Sequence, residues 1–180
     1  MRIIAGTAGG ARIDAPAGRD TRPTLDRVRE NLFNMLQGEV PESRVLDLFA
    51  GSGALSLEAL SRGAAFAVLV DHDRQAVQVE KRNIQRLRME EKTRVLQMDW
   101  QLAVRQLTGE EPFDLVFLDP PYQMTDLRDV FSALDALLAP EGRIILEHEA
   151  KAEITVCEPL VALKARNWGY CGVTFYGRRE

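Results

Sequence analysis

The sequence predicts an α/β domain: a mostly parallel sheet with helices on both faces, closed by an antiparallel hairpin near its C-terminal end. Three observations predict it. From Val45 onward, short apolar runs alternate with segments of helical periodicity. Val45 to Ala54 reads as a buried run that breaks at Gly51 and Gly53 and resumes with Leu55, Leu57 and Leu60, which is a strand, a tight turn and a helix. Finally, acids fall at or just beyond the ends of the apolar runs: Asp71, Asp99, Asp119 and Glu147, with Asp47 inside the first.

Taken in order, Arg2 to Ala5 and Ala11 to Asp14 flank Gly6, Gly9 and Gly10 and predict a short hairpin. After Pro16, Gly18 and Pro23, Thr24 is placed to cap a helix from Leu25 to Leu36, with Val28, Leu32 and Met35 on its apolar face and Arg27, Glu30, Asn31 and Asn34 opposite. The first strand starts by Arg44. Gly63 ends the helix after the glycine turn. Strands follow at Ala65 to Val70, Arg94 to Met98, Phe113 to Leu118 and Arg143 to Glu147, the last after a turn at Pro140-Glu141-Gly142. Between them lie a helix capped by Asp73 and running to Arg88, a short one at Gln101 to Leu107, and an amphipathic one at Thr125 to Leu138. Leu163 to Trp168 and Gly172 to Tyr176 predict the closing hairpin.

The 180 residues suit one domain, with 1–40 as an extension and 44–180 as the core. No apolar run approaches the roughly 18 to 20 residues of a membrane span, and a cytoplasmic protein is expected. Cys157 and Cys171 form no Cys-x-x-Cys pattern and read as packed thiols, and with only His72 and His148 no metal site is expected. The net charge of -4 argues against holding nucleic acid by bulk electrostatics, yet the first 30 residues carry +2 and the rest -6. An arginine-bearing arm suits local phosphate contacts, although Arg27 and Arg29 equally suit a solvated helix face.

In open α/β sheets the ligand lies outside the C-terminal ends of the strands, so the strand-end acids mark the edge to watch. Glycines in the first turn let a ligand lie against bare backbone, with the following helix aiming free N–H groups at the same spot. Asp71 stands about 20 residues beyond the turn, the separation at which an acid binds ribose hydroxyls. The third glycine of a dinucleotide fingerprint is replaced by Ser56, which argues against a nicotinamide-dependent oxidoreductase. In Asp119-Pro120-Pro121-Tyr122 the prolines remove two donors, leaving their carbonyls as acceptors beside an anionic Asp119 and an aromatic Tyr122. That corner suits the exocyclic amine of a flat base stacked on the tyrosine, aimed at an electrophilic methyl.

Asp47-x-Phe49-x-Gly51-x-Gly53 with Asp119-Pro120-Pro121-Tyr122 resembles the S-adenosylmethionine-dependent amino-methyltransferases. Thr21 to Asn34 (Thr-Arg-Pro-Thr-Leu-Asp-Arg-Val-Arg-Glu-Asn-Leu-Phe-Asn) and Leu46 to Ala64 are similar, more closely, to the bacterial 16S ribosomal RNA guanine-N2-methyltransferases. The resemblance implies a Rossmann-like, seven-stranded methyltransferase sheet and direct in-line transfer of a methyl from S-adenosyl-L-methionine to N2 of a flipped guanine in the small ribosomal subunit; a monomer is expected. It further implies that Asp47, Phe49, Gly51, Gly53, Asp71, Asp99, Trp100 and Thr24 border the cofactor. Asp119, Pro120, Pro121 and Tyr122 would receive the base, and Arg12, Arg22 and Arg27 the RNA. N6-methylation of adenine and a non-catalytic RNA- or ribosome-binding protein with the same fold are the alternatives.

Overall fold

At the centre of the computed structural model, which describes residues 1–17 and 23–179, strand Arg44–Asp47 (β1) lies between Phe66–Asp71 (β2) and Phe113–Leu118 (β4), parallel to both. Thr93–Gln97 (β3) extends the sheet beyond β2. Leu138–Glu149 (β5) extends it beyond β4, also parallel. Two antiparallel strands complete it, Leu160–Trp168 (β6) and Cys171–Arg178 (β7), in the order β3-β2-β1-β4-β5-β7-β6. The sheet is thus seven-stranded and mixed. The chain winds outward from β1 to β3 and then returns to β4, so strand order reverses between β1 and β4, and a crevice opens at their C-terminal ends.

Period-2 alternation splits the core between two faces. Val45, Leu115 and Phe117 face Pro23–Met35 (α1), Ala54–Ser61 (α2) and Arg74–Arg86 (α3), where Phe33 and Phe117 meet with ring centroids 5.7 Å apart. Leu46, Val116 and Leu118 face Trp100–Leu107 (α4) and Arg128–Asp135 (α5). The N-terminal hairpin is reduced to one antiparallel bridge, Arg2 with Arg12, fastened by Ile3 N donating to Ala11 O at 2.9 Å.

Three elements differ from expectation. Helix α1 begins at Pro23, so Thr24 lies inside it rather than capping it; the side chains of Thr24 and Leu25 and the whole of Arg22 lie outside the described residues. Pro140 to Gly142 is no turn between elements, because β5 runs through it with a register shift against β4 between Phe113 and Leu115. Helix α5 is shorter than Thr125 to Leu138. Its expected first turn instead bridges to Thr155, with Leu127 N donating to Thr155 O at 2.8 Å and Thr155 N to Thr125 O at 3.0 Å. Among the described residues no helix is long and apolar enough to cross a membrane.

Candidate active site

The glycine turn is held open from two sides. Ala50 N donates to Val70 O at 2.9 Å, and Gly51 N to the Asp71 carboxylate at 2.9 Å, which binds the turn to the end of β2. Gly53 starts α2 at φ 82, and a Cβ there would lie 2.9 Å from a Leu69 methyl, so position 53 requires glycine on both counts. From α3, buried Asn83 donates to Ser52 O at 3.0 Å and to Asp14 O at 2.9 Å, coupling the turn to the N-terminal extension. Phe49 is partly buried at the rim.

Asp71 receives Gly51 N on one oxygen and Asp73 N on the other, at 2.9 Å each. Each oxygen keeps a second lone pair for a hydroxyl donor. Asp99 follows Gln97, the β3 partner of Asp71; it is exposed and makes no side-chain cap bond to α4, whose first residue, Trp100, packs partly against the core. The lone pairs left on Asp71, which is bonded to the turn, and the exposed Asp99 after the neighbouring strand fit an adenosine-type cofactor with a free ribose diol.

Asp47 sits beneath the turn at 1% exposure, its Oδ2 accepting from Ser56 Oγ at 2.8 Å and its Oδ1 meeting no partner among the described residues. The serine at the place of a third glycine therefore supplies the hydroxyl that holds this carboxyl. Burial pushes the Asp47 pKa up to about 7 against that bond. Glu80, at 0% exposure, lies under Gly53 with neither oxygen partnered among the described residues, and burial, with Asp47 and Asp71 close by, pushes it up to about 9. A carboxyl raised in the folded state favours folding below its unfolded pKa and loses that advantage as pH rises toward the folded value. Stability should therefore fall from about pH 5 to pH 9. Glu80→Gln, neutral at every pH, should gain on the order of 2 to 3 kcal/mol at pH 7 and flatten the alkaline part of the profile. Urea melts at pH 5, 7 and 8.5 check this; parallel profiles for variant and wild type would refute it.

The second wall is the corner after β4. Leu48 N donates to Phe117 O at 3.2 Å, which sets the start of the glycine loop beside the end of β4. Asp119 is exposed, Pro120 buried, Pro121 exposed, and Tyr122 is 55% exposed. One expectation is corrected here. The Pro121 carbonyl is committed to Met124 N at 2.9 Å, whereas that of Pro120 takes no backbone hydrogen bond from the described residues and remains as an acceptor. Partial burial raises the Tyr122 phenol pKa, and the carboxylates of Glu147, Asp119 and Glu149 add to it.

Glu147 and Cys171 stand at this wall, and motif reasoning had not assigned them to it. Cys171 Sγ donates to Glu147 Oε1 at 3.3 Å. His148 is held by Glu149 O and Thr174 Oγ1, each at 2.8 Å, as a packed side chain. Among the described residues no group of three or more His, Cys, Asp or Glu side chains is placed to hold a metal ion. Of the arginines, Arg12 and Arg27 are exposed, whereas Arg29 is 5% exposed and pairs with buried Glu58, so it is not part of a solvated face.

This sheet order, with a glycine turn and strand-end acids at the switch point, is a Rossmann-like methyltransferase fold. The chain belongs to the family described as Conserved hypothetical protein 95, whose model matches residues 1–177. It is 39% identical over 153 residues to the Ribosomal RNA small subunit methyltransferase D of Escherichia coli, covering 84% of this chain and 76% of that one. The protein of the same name from Haemophilus influenzae is 34% identical over 179 residues, 98% of this chain and 93% of the relative. Among solved structures, yhhF from Escherichia coli superposes with a TM-score of 0.82 at 36% identity, covering 99% of this chain and 97% of that chain.

Proposed function

We propose that this protein transfers a methyl group from S-adenosylmethionine to the exocyclic N2 of a guanine in 16S ribosomal RNA, as a cytoplasmic monomer. The observation that carries the reading is the corner Asp119 to Tyr122, with Asp119, Pro121 and Tyr122 exposed, opening on the same edge as the glycine turn. The relatives named as small subunit methyltransferases support the substrate class.

In this reading Gly51 and Gly53 admit the methionine end of the cofactor, Asp71 accepts from the ribose hydroxyls, and Asp99 accepts from the adenine amine, with Phe49 and Trp100 bordering that pocket. Bound there, S-adenosylmethionine supplies an electrophilic methyl on a sulfonium. Asp47 acts from beneath, bracing the turn through Ser56. Asp119 and the Pro120 carbonyl accept the two N–H bonds of the amine, which aims the nitrogen lone pair at the methyl. As the N–C bond forms the S–C bond breaks, leaving a neutral thioether, and the Asp119 carboxylate offsets the positive charge that develops on nitrogen and accepts the one N–H proton that the methylated amine releases, so the rate comes from positioning and from a fixed acceptor pair. Arg12, Arg22 and Arg27 meet phosphates, and Thr24 borders the cleft.

Labelled methyl transfer to undermodified small subunits and to free RNA, with nucleoside mass analysis of the product, tests this. N2-methylguanosine is the expected product; N6-methyladenosine or no incorporation would refute the guanine reading. Tyr122→Phe should keep transfer within about twofold, while Tyr122→Ala loses on the order of tenfold to a hundredfold, the worth of one stacked base. Equal losses in both would assign the role to the hydroxyl instead.

A further inference from the structure

We infer that Glu147 is the residue that makes this corner select guanine over adenine, by accepting the N1–H next to the amine that Asp119 holds. The inference rests on the reading above and adds a second carboxylate with a separate task.

Three observations carry it. The last register pair of β4 with β5 is Leu118 with Leu146, so Asp119, where the chain leaves β4, follows beside Glu147, which stays in β5 and pairs on its other side with Val173 of β7. Glu147 lines a recess together with Pro120, Pro121 and Tyr122, the surfaces proposed to clasp the base. From the far side Cys171 Sγ donates to Oε1 at 3.3 Å, while Oε2 takes no hydrogen bond from the described residues. One oxygen is thus anchored and one left for a ligand.

Guanine presents two kinds of donor next to each other on its Watson–Crick edge, N1–H and the N2 amine. Paired acceptors match that pattern: Asp119 for the amine and Glu147 for N1–H. Adenine presents its amine beside an unprotonated N1, whose lone pair would face a carboxylate oxygen. A site with an acceptor there rejects such an edge because two acceptors are left unpaired in a partly desolvated cleft. Burial raises the Glu147 pKa on balance, and the Cys171 thiol bond, with His148 and Arg29 nearby, opposes that rise in the direction of the anion, the form that accepts. The Cys171 thiol is itself pushed up by burial and by Glu147, so it stays protonated and remains the donor.

The test uses small-subunit RNA carrying 2-aminopurine at the target position, assembled into particles. This base keeps the N2 amine and loses N1–H. Wild-type protein should methylate guanine about 100-fold faster than 2-aminopurine under single turnover, the range expected for one hydrogen bond to a charged group. In Glu147→Gln the amide can turn its N–H toward an unprotonated N1, and the preference should collapse to within a few-fold. Glu147→Ala should lose guanine rate while 2-aminopurine transfer rises, because the opposing acceptor is gone, and calorimetry should show S-adenosylmethionine affinity kept in both variants. A wild-type preference near unity, or a preference unchanged in Glu147→Gln, overturns the inference, and the wild-type ratio decides even if the variants do not fold. Guanine transfer without the preference sinks only this inference, whereas absence of guanine transfer by wild-type protein sinks the reading beneath it.

Discussion

Asp119→Ala should reduce methyl transfer by on the order of a hundredfold to a thousandfold, the cost of deleting one preorganised polar group aimed at developing charge. Cofactor affinity should stay within about twofold of wild type, because the ribose and methionine contacts are assigned to Asp71 and to the glycine turn, on neighbouring strands. The split separates a group that acts on the acceptor amine from one that shapes the cofactor pocket. Asp119→Asn refines it. The amide carbonyl keeps one acceptor but loses the charge, so its rate should fall between those of the alanine variant and wild type. Asp119 is exposed and stands outside both core clusters, so its truncation leaves the core packing in place. Single-turnover transfer alongside calorimetry with S-adenosylmethionine measures both quantities. Wild-type rate in Asp119→Ala would remove the carboxylate from the chemistry, and parallel loss of rate and cofactor affinity would move it to the cofactor pocket.

What the sequence made legible was local. Phe113 to Leu118 coincides with β4 as expected, and Asp73 caps α3 as expected, its side chain accepting from Gln75 N at 2.8 Å. A continuous apolar run and an acid before a helix leave little choice. Long-range pairings left no local trace. Thr125 to Leu127 have helical periodicity but are drawn into a bridge with Thr155, and that competing backbone partner is invisible in the periodicity. At Pro140 to Gly142 turn residues occur inside a strand, where the register shift absorbs them; a Cβ on Gly142 would lie 2.6 Å from the Leu138 side chain, so a larger residue there would require that side chain to move. Glu147 was legible as a strand-end acid but not as the neighbour of Cys171. Their meeting requires the last strand, β7, to insert between β5 and β6, which hairpin signals alone do not specify. For Arg29 the sequence left a solvated helix face and phosphate contact both open and showed neither the burial nor the partner, which lies on another helix.

That partner, Glu58, carries the largest expected stability effect. It is 0% exposed and gathers four donors: Ile4 N at 2.8 Å, Ala5 N at 3.1 Å, Arg62 Nε at 3.0 Å, and Arg29 Nε, which approaches at 3.4 Å as an ion pair without hydrogen-bond geometry. Arg29 in turn donates to Arg2 O and, at 3.2 Å, to Asp26 Oδ1. One carboxylate thus ties the N-terminal segment, α1 and α2 together. The fit around it is close: a Cβ on Gly6 would lie 1.9 Å from Ser61 O. Removing one member of a buried charged group strands the others, at a cost of about 3 to 5 kcal/mol. Glu58→Ala should lower the melting temperature by roughly 10 °C or more, given about 2 to 4 °C per kcal/mol for a chain of this size. The Ile4 and Ala5 amides, left without acceptors, should lose hydrogen-exchange protection by more than amides in β4. Adding Arg29→Met should recover part of the loss, because the stranded guanidinium is then replaced by an apolar side chain of similar length. Additive losses in the double variant would mean that the two residues act independently, and a melt within about 1 kcal/mol of wild type in Glu58→Ala would show that solvent reaches this junction readily enough to replace the carboxylate.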